Sequence, residues 1–199
     1  MYFSKIFEDD TELKIVESTK LDNNILLEKI KIDENESNIV KLKNNQCAIL
    51  FEKGQVLDLI KEEGIYSIRD GKNQMLPQDL EDYKVKNNDD KLCVIFCNLD
   101  IIVNNKFYIN KKNMNGEGIF DFRIDNPIKF FNKVITVRTY YSREELLEQI
   151  REKIAKIIIS IIKEENGTYT FKDEDIYIRL NVFEKYGVTI TFCDTENIN

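Results

Sequence analysis

The stretch EGIFDFRIDNPIKFF, residues 117–131, changes its hydrophobic period in the middle. Phe120 and Phe122 alternate with polar residues, which is the two-residue period of a strand with one buried face. Beyond Asn126, apolar residues recur at spacings of three and four, which indicates a helix. Asn126 can cap that helix, and Pro127 suits its first position, where no N–H is needed. The stretch therefore predicts a strand and a helix joined by a tight corner.

Most of the chain before this corner is typical of short strands separated by turns. Lys53-Gly54 and Asn104-Asn105 are expected to form hairpin turns, while residues 69–90 and the segment KKNMNGEG, residues 111–118, are expected to be polar loops. The expected strands are IVESTKL (15–21), NILLEKIKI (24–32), SNIVKLK (37–43), NQCAILFEK (45–53), QVLDLIKEEGIYSI (55–68) and two or three within KLCVIFCNLDIIVNNKFYI (91–109).

Helical patterns follow the corner. Ser142 and Glu145 form a capping box, which predicts the start of a core helix that extends to about Glu165 and is closed by Asn166-Gly167. A second helix is expected over 173–187, and the segment VTITF, residues 188–192, alternates as a final strand. The apolar faces expected for the two helices are Leu146, Ile150, Ile154, Ile157, Ile158 and Ile161, and then Ile176, Leu180 and Phe183.

This order of elements predicts an α+β fold, with a mainly antiparallel, strongly bent sheet in the first half and helices plus strands in the second half. We divide the chain into an N-terminal segment packed on the domain (1–35), a mainly β first subdomain (36–115) and an α/β second subdomain (116–199).

Charge and hydropathy exclude several classes of function. The net charge of −7 opposes nucleic-acid binding, because phosphate contacts need clustered Lys and Arg. No segment reaches the roughly 18 continuous apolar residues of a membrane span. The N-terminal sequence MYFSKIFEDDTE has no signal-peptide core. We therefore expect a cytoplasmic protein, with at most peripheral contact at the inner face of the cell membrane.

The residues that could carry chemistry form no recognisable motif. The chain has no histidine, and its four cysteines contain no CxxC pair, so buried thiols acting as small hydrophobes are the favoured interpretation. No phosphate-binding loop, GxSxG or HExxH motif is present. We therefore predict no catalytic, cofactor-binding or metal-binding residue, and no cofactor. The four cysteines are Cys47, Cys93, Cys97 and Cys193. Four acidic groups are either solvated surface acids or ligands of a metal site: Asp9-Asp10, Glu62-Glu63, Asp89-Asp90 and Asp173-Glu174-Asp175. Tyr140-Tyr141 either packs against the start of the helix or forms one wall of a ligand site.

Three places in this sequence carry a resemblance to a known family. NNQCAILFEKGQVLDLIKEEGIYSI (44–68) resembles an opening hairpin, and GIFDFRIDNPIKFFNKV (118–134) resembles a strand and helix joined at a proline corner. YYSREELLEQIREKIAKII (140–158) and KYGVTITFCDTENI (185–198) resemble the long helix and closing strand of the same domain. Together they resemble the SPFH, or band 7, domain of the stomatin, prohibitin and flotillin superfamily, nearest to the bacterial virion core protein-like subfamily.

The resemblance implies a function that the residues alone do not. Family members self-associate and organise partner proteins at membranes, so we expect a non-catalytic scaffold or adaptor whose self-association is weak. The corner at Asn126-Pro127 would then be architectural, with Phe120, Phe122, Phe130 and Phe131 filling the core between sheet and helix. Two alternatives are a soluble, monomeric ligand- or peptide-binding domain and a hydrolase with an acidic metal site.

Overall fold

Among the residues that the structure describes, the fold combines antiparallel sheets that are not closed with three α-helices, which confirms the predicted α+β class. A computed structural model of the chain describes residues 3–6, 14–22, 24–33, 38–68, 91–111, 114–134, 139–165, 168–170, 173–196 and 198. The predicted loop over 69–90 and the pairs Asp9-Asp10, Asp89-Asp90 and Asn166-Gly167 lie outside those residues.

The elements follow the order expected from the sequence, with several differences in their bounds. The strands are β1 (Phe3–Ile6), β2 (Lys14–Glu17), β3 (Ile25–Lys31), β4 (Asn38–Leu42), β5 (Gln46–Glu52), β6 (Gln55–Ile60), β7 (Gly64–Ile68), β8 (Cys93–Asn98), β9 (Ile102–Lys111), β10 (Met114–Ile124), β11 (Tyr140–Ser142), β12 (Lys163–Glu165), β13 (Thr168–Thr170) and β14 (Val188–Glu196). The helices are α1 (Pro127–Val134), α2 (Arg143–Ile161) and α3 (Asp173–Leu180), and a 3₁₀-helix (Asn181–Tyr186) follows α3.

The described residues divide into two compact units. The first unit contains those within 1–99 and 131–142, and the second contains those within 100–130 and 143–199. The subdomain boundary expected between residues 115 and 116 falls inside β10. Because β9 and β10 are hydrogen-bonded neighbours in one sheet, the chain changes units before β9 instead.

The first unit contains two hydrogen-bonded sheets where one strongly bent sheet was expected. A four-stranded sheet has the order β1–β7–β4–β2, and a five-stranded sheet has the order β11–β3–β8–β5–β6. Among the described strand pairs of this unit only β2–β4 is parallel. Both β5 and β8 are continuous apolar runs, CAILF and CVIFC, and both are buried along nearly their whole length. These two central strands supply much of the core of this unit.

The hairpin between β5 and β6 forms at the predicted turn. Lys53 and Gly54 both have positive φ angles, of 48° and 80°. This is the backbone of a two-residue turn whose twist matches the flanking strands. The sequence did not predict β11, a three-residue strand that pairs with β3 and places the buried side chain of Tyr141 opposite Leu27.

The second unit is built on a three-stranded sheet with the order β14–β10–β9. Phe120, Phe122 and Ile124 lie on its buried face, as the two-residue period predicted. The helix α2 packs on β9 and on α3. Of the side chains expected on the apolar faces of the two helices, all are buried except Ile157, which is half-buried.

The four phenylalanines expected to fill one core are all fully buried. Phe120 and Phe122 belong to the second unit, where their ring centroids lie 6.2 Å apart. Phe131 belongs to the first unit, where its ring meets that of Phe51 edge-on at a centroid distance of 5.2 Å. The expectation of a single core was therefore wrong for Phe131. Consecutive helical residues point about 100° apart, so Phe130 and Phe131 leave α1 in different directions.

Two other expectations were wrong about where elements begin and end. The core helix ends at Ile161 and not near Glu165, because residues 163–165 pair as β12 with β13. Residues 114–118 are not loop but the start of β10, paired with the end of β9. In both places the backbone N–H and C=O groups form hydrogen bonds with a neighbouring strand. The local sequence pattern gave no indication of this pairing.

Candidate functional site

The corner between β10 and α1 is held by hydrogen bonds that the sequence partly predicted. The Lys129 N–H donates to Asn126 Oδ1 at 2.9 Å, which is the expected N-terminal cap, and Pro127 is the first residue of α1. The carbonyl of Gly187 accepts hydrogen bonds from the N–H groups of Asp125 and Asn126, at 2.9 and 3.1 Å. The corner is therefore held by a local cap at Asn126 and by a contact with Gly187, which is distant in the sequence. These contacts stabilise the fold and indicate no chemical role.

A second polar cluster occupies the position where a hairpin turn was expected. Asn104 and Asn105 do not turn the chain, because β9 continues through them beside β10. Asn104 adopts a positive φ of 58°, and its N–H donates to Asp121 Oδ1 at 2.7 Å. The register of β9 against β10 shifts here, which is the signature of a β-bulge. The hairpin prediction was wrong because an Asn pair with a left-handed residue suits a bulge as well as a turn.

Asn105 anchors this bulge from inside. Its side chain is 1% exposed, and its Nδ2 donates to the carbonyls of Ile102 and Phe120 at 2.8 and 2.9 Å. Its Oδ1 accepts a hydrogen bond of 2.6 Å from Arg143, the first residue of α2. Both the nitrogen and the oxygen of the Asn105 side-chain amide thus form hydrogen bonds that stabilise the fold.

The two edges of the three-stranded sheet differ in how they are covered. At β9, the Lys106 carbonyl accepts a hydrogen bond of 2.9 Å from Arg151 Nε on α2, and Arg151 is also ion-paired with Glu144. At the other edge, β14 is hydrogen-bonded only to β10 among the described strands. Phe192 on β14 lies opposite Asp121 and is 39% exposed. The helix α3 and the 3₁₀-helix also contact β14, but no described strand pairs with its outer edge. A strand that is paired on one side only can accept another strand on the other side.

All four cysteines are buried, and none of them forms a disulfide. Cys47 and Cys97 lie directly opposite each other on β5 and β8. Burial, with a smaller contribution from a hydrogen bond to Cys47, raises the pKa of the Cys97 thiol well above its usual range. Burial also raises the pKa of Cys193 to about 12. Thiols with raised pKa values are poor nucleophiles, which applies to Cys97 and Cys193. The burial of all four cysteines agrees with the prediction that they are small apolar side chains.

Of the acidic candidates, only Glu62 and Glu63 have side chains that the structure describes. Glu62 and Glu63 are exposed, and the Glu62 carbonyl accepts a hydrogen bond of 2.7 Å from the Tyr66 hydroxyl. Burial, and to a smaller extent the charge of Glu62, raise the pKa of Tyr66. The triplet 173–175 begins α3, and its side chains are outside the described residues. Within the described part of the chain, no group of three or more His, Cys, Asp or Glu side chains could hold a metal ion.

Tyr140 and Tyr141 do not line a shared ligand wall, because they alternate across β11. Tyr141 is buried, whereas Tyr140 is exposed and lies 5.5 Å from the ammonium group of Lys20.

One buried carboxylate was missed by the sequence analysis. Glu28 accepts hydrogen bonds from the Ser18 hydroxyl at 2.6 Å and from the Lys20 N–H at 3.2 Å. These bonds fix the turn before β3 and compensate for the burial of the carboxylate.

A cluster of two lysines and a tyrosine was also missed. Lys153 on α2 places its ammonium group 4.0 Å from the ring centroid of Tyr186, and Lys185 places its own 5.0 Å from the same centroid. Hydrogen bonding from Lys153 is the main cause that lowers the pKa of the Tyr186 phenol, and Lys185 adds to it. Lys153 and Tyr186 are far apart in the sequence, so no local pattern indicated the cluster.

The sequence matches no protein-family model, and it matches no curated protein. Among the helices that the structure describes, none is long and apolar enough to cross a membrane.

Proposed function

We propose that this chain is a non-catalytic SPFH-type scaffold or adaptor, which self-associates weakly and organises partner proteins at the cytoplasmic face of the cell membrane. The three stretches that resemble the SPFH domain support the proposal. The α+β fold with unclosed antiparallel sheets is compatible with it. Membrane contact would be peripheral in this proposal.

The observation that carries the proposal is the edge of β14. This strand is nine residues long and is paired on one side only among the described strands. Its unpaired backbone N–H and C=O groups can hydrogen-bond to a second strand. The exposed ring of Phe192 adds apolar area near the centre of the strand. In a self-associating protein, the partner strand would be β14 of a second copy of the chain.

The sequence of β14 is compatible with pairing to itself. In an antiparallel pair centred on Phe192, Asp194 faces Ile190 and Glu196 faces Val188 of the other copy. No two like charges lie directly opposite, so the charge repulsion that commonly blocks such pairs is absent from this register. A bulge at Thr191, which has no partner on β10, limits the regular part of the edge. Pairing through β14 should therefore be weak.

Net charge sets the expected size of the assembly. A chain with a net charge of −7 repels further copies, and the repulsion increases with each copy added. Salt screens this repulsion over a Debye length of about 8 Å at physiological ionic strength. We therefore expect a monomer–dimer equilibrium that added salt shifts towards the dimer.

Sedimentation velocity on the wild-type chain and on two matched variants tests the proposal. Phe192→Lys places two ammonium groups opposite each other at the centre of the proposed pair. Tyr108→Lys makes the same change at an exposed aromatic residue on β9, the other edge of the sheet. We expect the first variant to be monomeric where the wild type and the second variant dimerise.

The unpaired edge of β14 also supports an alternative function, that of a monomeric peptide-binding domain. A monomeric peptide-binding domain would add an extended peptide of a partner protein to β14 as an extra strand. The wild-type chain would then stay monomeric at every concentration. Phe192→Lys would weaken the capture of partner peptides, whereas Tyr108→Lys would not.

A further inference from the structure

Two ammonium groups and a phenol converge at one place on the surface of the second unit. Lys153 and Lys185 lie 4.0 and 5.0 Å from the ring centroid of Tyr186. Tyr186 and Lys153 are half-buried, and Lys185 is exposed. The two lysines come from different elements, α2 and the 3₁₀-helix, so tertiary packing and not sequence adjacency creates the cluster.

One described carboxylate lies close enough to feel these charges. The pKa of Glu152 is lowered chiefly by a hydrogen bond from Lys156, and the charge of Lys153 also contributes. Neither Lys153 nor Lys185 is ion-paired within the part of the chain that the structure describes. Lys156, also on α2, provides the contrast, because it is ion-paired with Glu152. In a chain of net charge −7, Lys153 and Lys185 thus place two ammonium groups without an ion pair at one tyrosine. An anion is the ligand that would relieve their mutual repulsion.

We propose that Lys153, Lys185 and Tyr186 form a binding site for a phosphomonoester dianion. The charge of about −2 on a phosphomonoester at neutral pH balances the two ammonium groups. Its three terminal oxygens can accept one hydrogen bond from each lysine and one from the Tyr186 hydroxyl. Such charge-assisted hydrogen bonds are short and roughly twice as strong as neutral ones. The site is independent of the proposed self-association, which uses β14.

The positive potential at the phenol oxygen supports this assignment. The same ammonium groups that would contact the ligand already lower the pKa of Tyr186, through hydrogen bonding from Lys153 first. A bound phosphomonoester would accept the phenol proton in a hydrogen bond and offset both lysine charges. It would therefore raise that pKa again, which gives a signal separate from the binding heat.

Isothermal titration calorimetry of the full chain with inorganic phosphate is the direct test. Chloride at matched ionic strength is the reference, and the variants are Lys153→Gln with Lys185→Gln, Tyr186→Phe, and, as the control, Lys163→Gln at an exposed lysine. Loss of a hydrogen bond to a charged group should weaken phosphate binding about tenfold in the double variant, and less in Tyr186→Phe. The control should bind phosphate like the wild type. Ultraviolet titration of the phenol, as wild type minus Tyr186→Phe, should show a higher pKa in saturating phosphate.

Vesicles distinguish a free phosphate compound from a lipid headgroup. Ile178 and Val182 are exposed on α3 and the 3₁₀-helix that leads to Lys185, so a membrane-borne phosphate is one source of the ligand. Phosphatidylcholine vesicles containing phosphatidic acid carry a phosphomonoester, and those containing phosphatidylglycerol at equal charge carry only a diester. Preference for phosphatidic acid that is lost in the double variant indicates a lipid headgroup. Binding of inorganic phosphate without vesicle preference indicates a soluble phosphomonoester.

Either of those results supports the site. Phosphate binding no stronger than that of chloride, together with equal binding to both kinds of vesicle, would overturn it. A Lys163→Gln variant that weakens phosphate binding as much as the double variant would also overturn it, since the effect would then be one of general charge.

Discussion

The carbonyl oxygen of Gly187 accepts a hydrogen bond of 3.1 Å from the backbone N–H of Asn126. This contact joins the residue before β14 to the corner between β10 and α1. The approach is close because Gly187 has no side chain. A Cβ atom at position 187 would lie 2.2 Å from the Asn126 carbonyl oxygen and 2.7 Å from the Phe130 nitrogen. The φ angle of Gly187 is 73°, a conformation that other residues adopt only with strain. Proximity and conformation therefore both require glycine here.

Gly187→Ala should destabilise the second unit by about 3 kcal/mol or more, from left-handed strain and from the forced separation of Asn126. Urea unfolding followed by circular dichroism measures the change. Gly54→Ala is the control, because Gly54 also has a positive φ but lies in a hairpin turn, where about 1–2 kcal/mol of strain is expected. Equal losses in the two variants would show that the close approach to Asn126 contributes nothing.

The corner could be predicted from the sequence because its signals are local. The change of period, the Asn126 cap and the first-position Pro127 all lie within a few residues, and the structure confirms each of them. Its partner Gly187 could not be predicted, because the contact joins positions that are distant in sequence. The same limit explains why the Lys153–Tyr186 cluster was missed and why Phe131 was assigned to the wrong core.

Local ambiguity accounts for the remaining errors. Asn104 adopts the left-handed backbone that a hairpin turn would need, but it does so within a bulged strand. The strands β11, β12 and β13 have only three residues each, which is too short for a two-residue period to be recognised. In these places pairing with another strand, and not the period of the local pattern, decides the structure.

Asn105→Ala should destabilise the second unit strongly, because the carbonyls of Ile102 and Phe120 and the guanidinium of Arg143 would each lose a buried partner. A buried polar group without a partner costs about 1–3 kcal/mol, so we expect a loss of at least 3 kcal/mol in urea unfolding. Asn104→Gly is the matched control and should be neutral or slightly stabilising, since glycine tolerates the positive φ. A loss below 1 kcal/mol for Asn105→Ala would contradict the anchoring role.

Ile154→Asp should unfold the second unit, since Ile154 is fully buried on the face of α2 that packs in the core. An unpaired buried charge typically costs more than about 4 kcal/mol. Ile178→Asp on α3 is the control, because Ile178 is 69% exposed, and its fold should be retained. Thermal melting separates the two variants, and an unchanged melting temperature for Ile154→Asp would refute the register of α2.

Stability should fall as the pH rises above about 9. Burial raises the pKa of Cys193 from its ordinary value of 9.0 to about 12, so the unfolded chain loses this proton at a lower pH than the folded chain does. The folded state therefore keeps its full advantage below pH 9 and loses it progressively as the pH approaches 12. Urea unfolding between pH 8 and 11 measures the slope, and Cys193→Ala should make it shallower. An identical slope in the variant would assign the effect to other groups.

Sedimentation velocity over a wide concentration range, at low and at high salt, tests the proposed scaffold most directly. The account predicts a wild-type monomer–dimer equilibrium that salt shifts towards the dimer, kept in Tyr108→Lys and abolished in Phe192→Lys. A dimer that survives Phe192→Lys would move the interface away from β14 and leave self-association standing. A wild-type chain that stays monomeric at the highest concentration in high salt would contradict self-association itself.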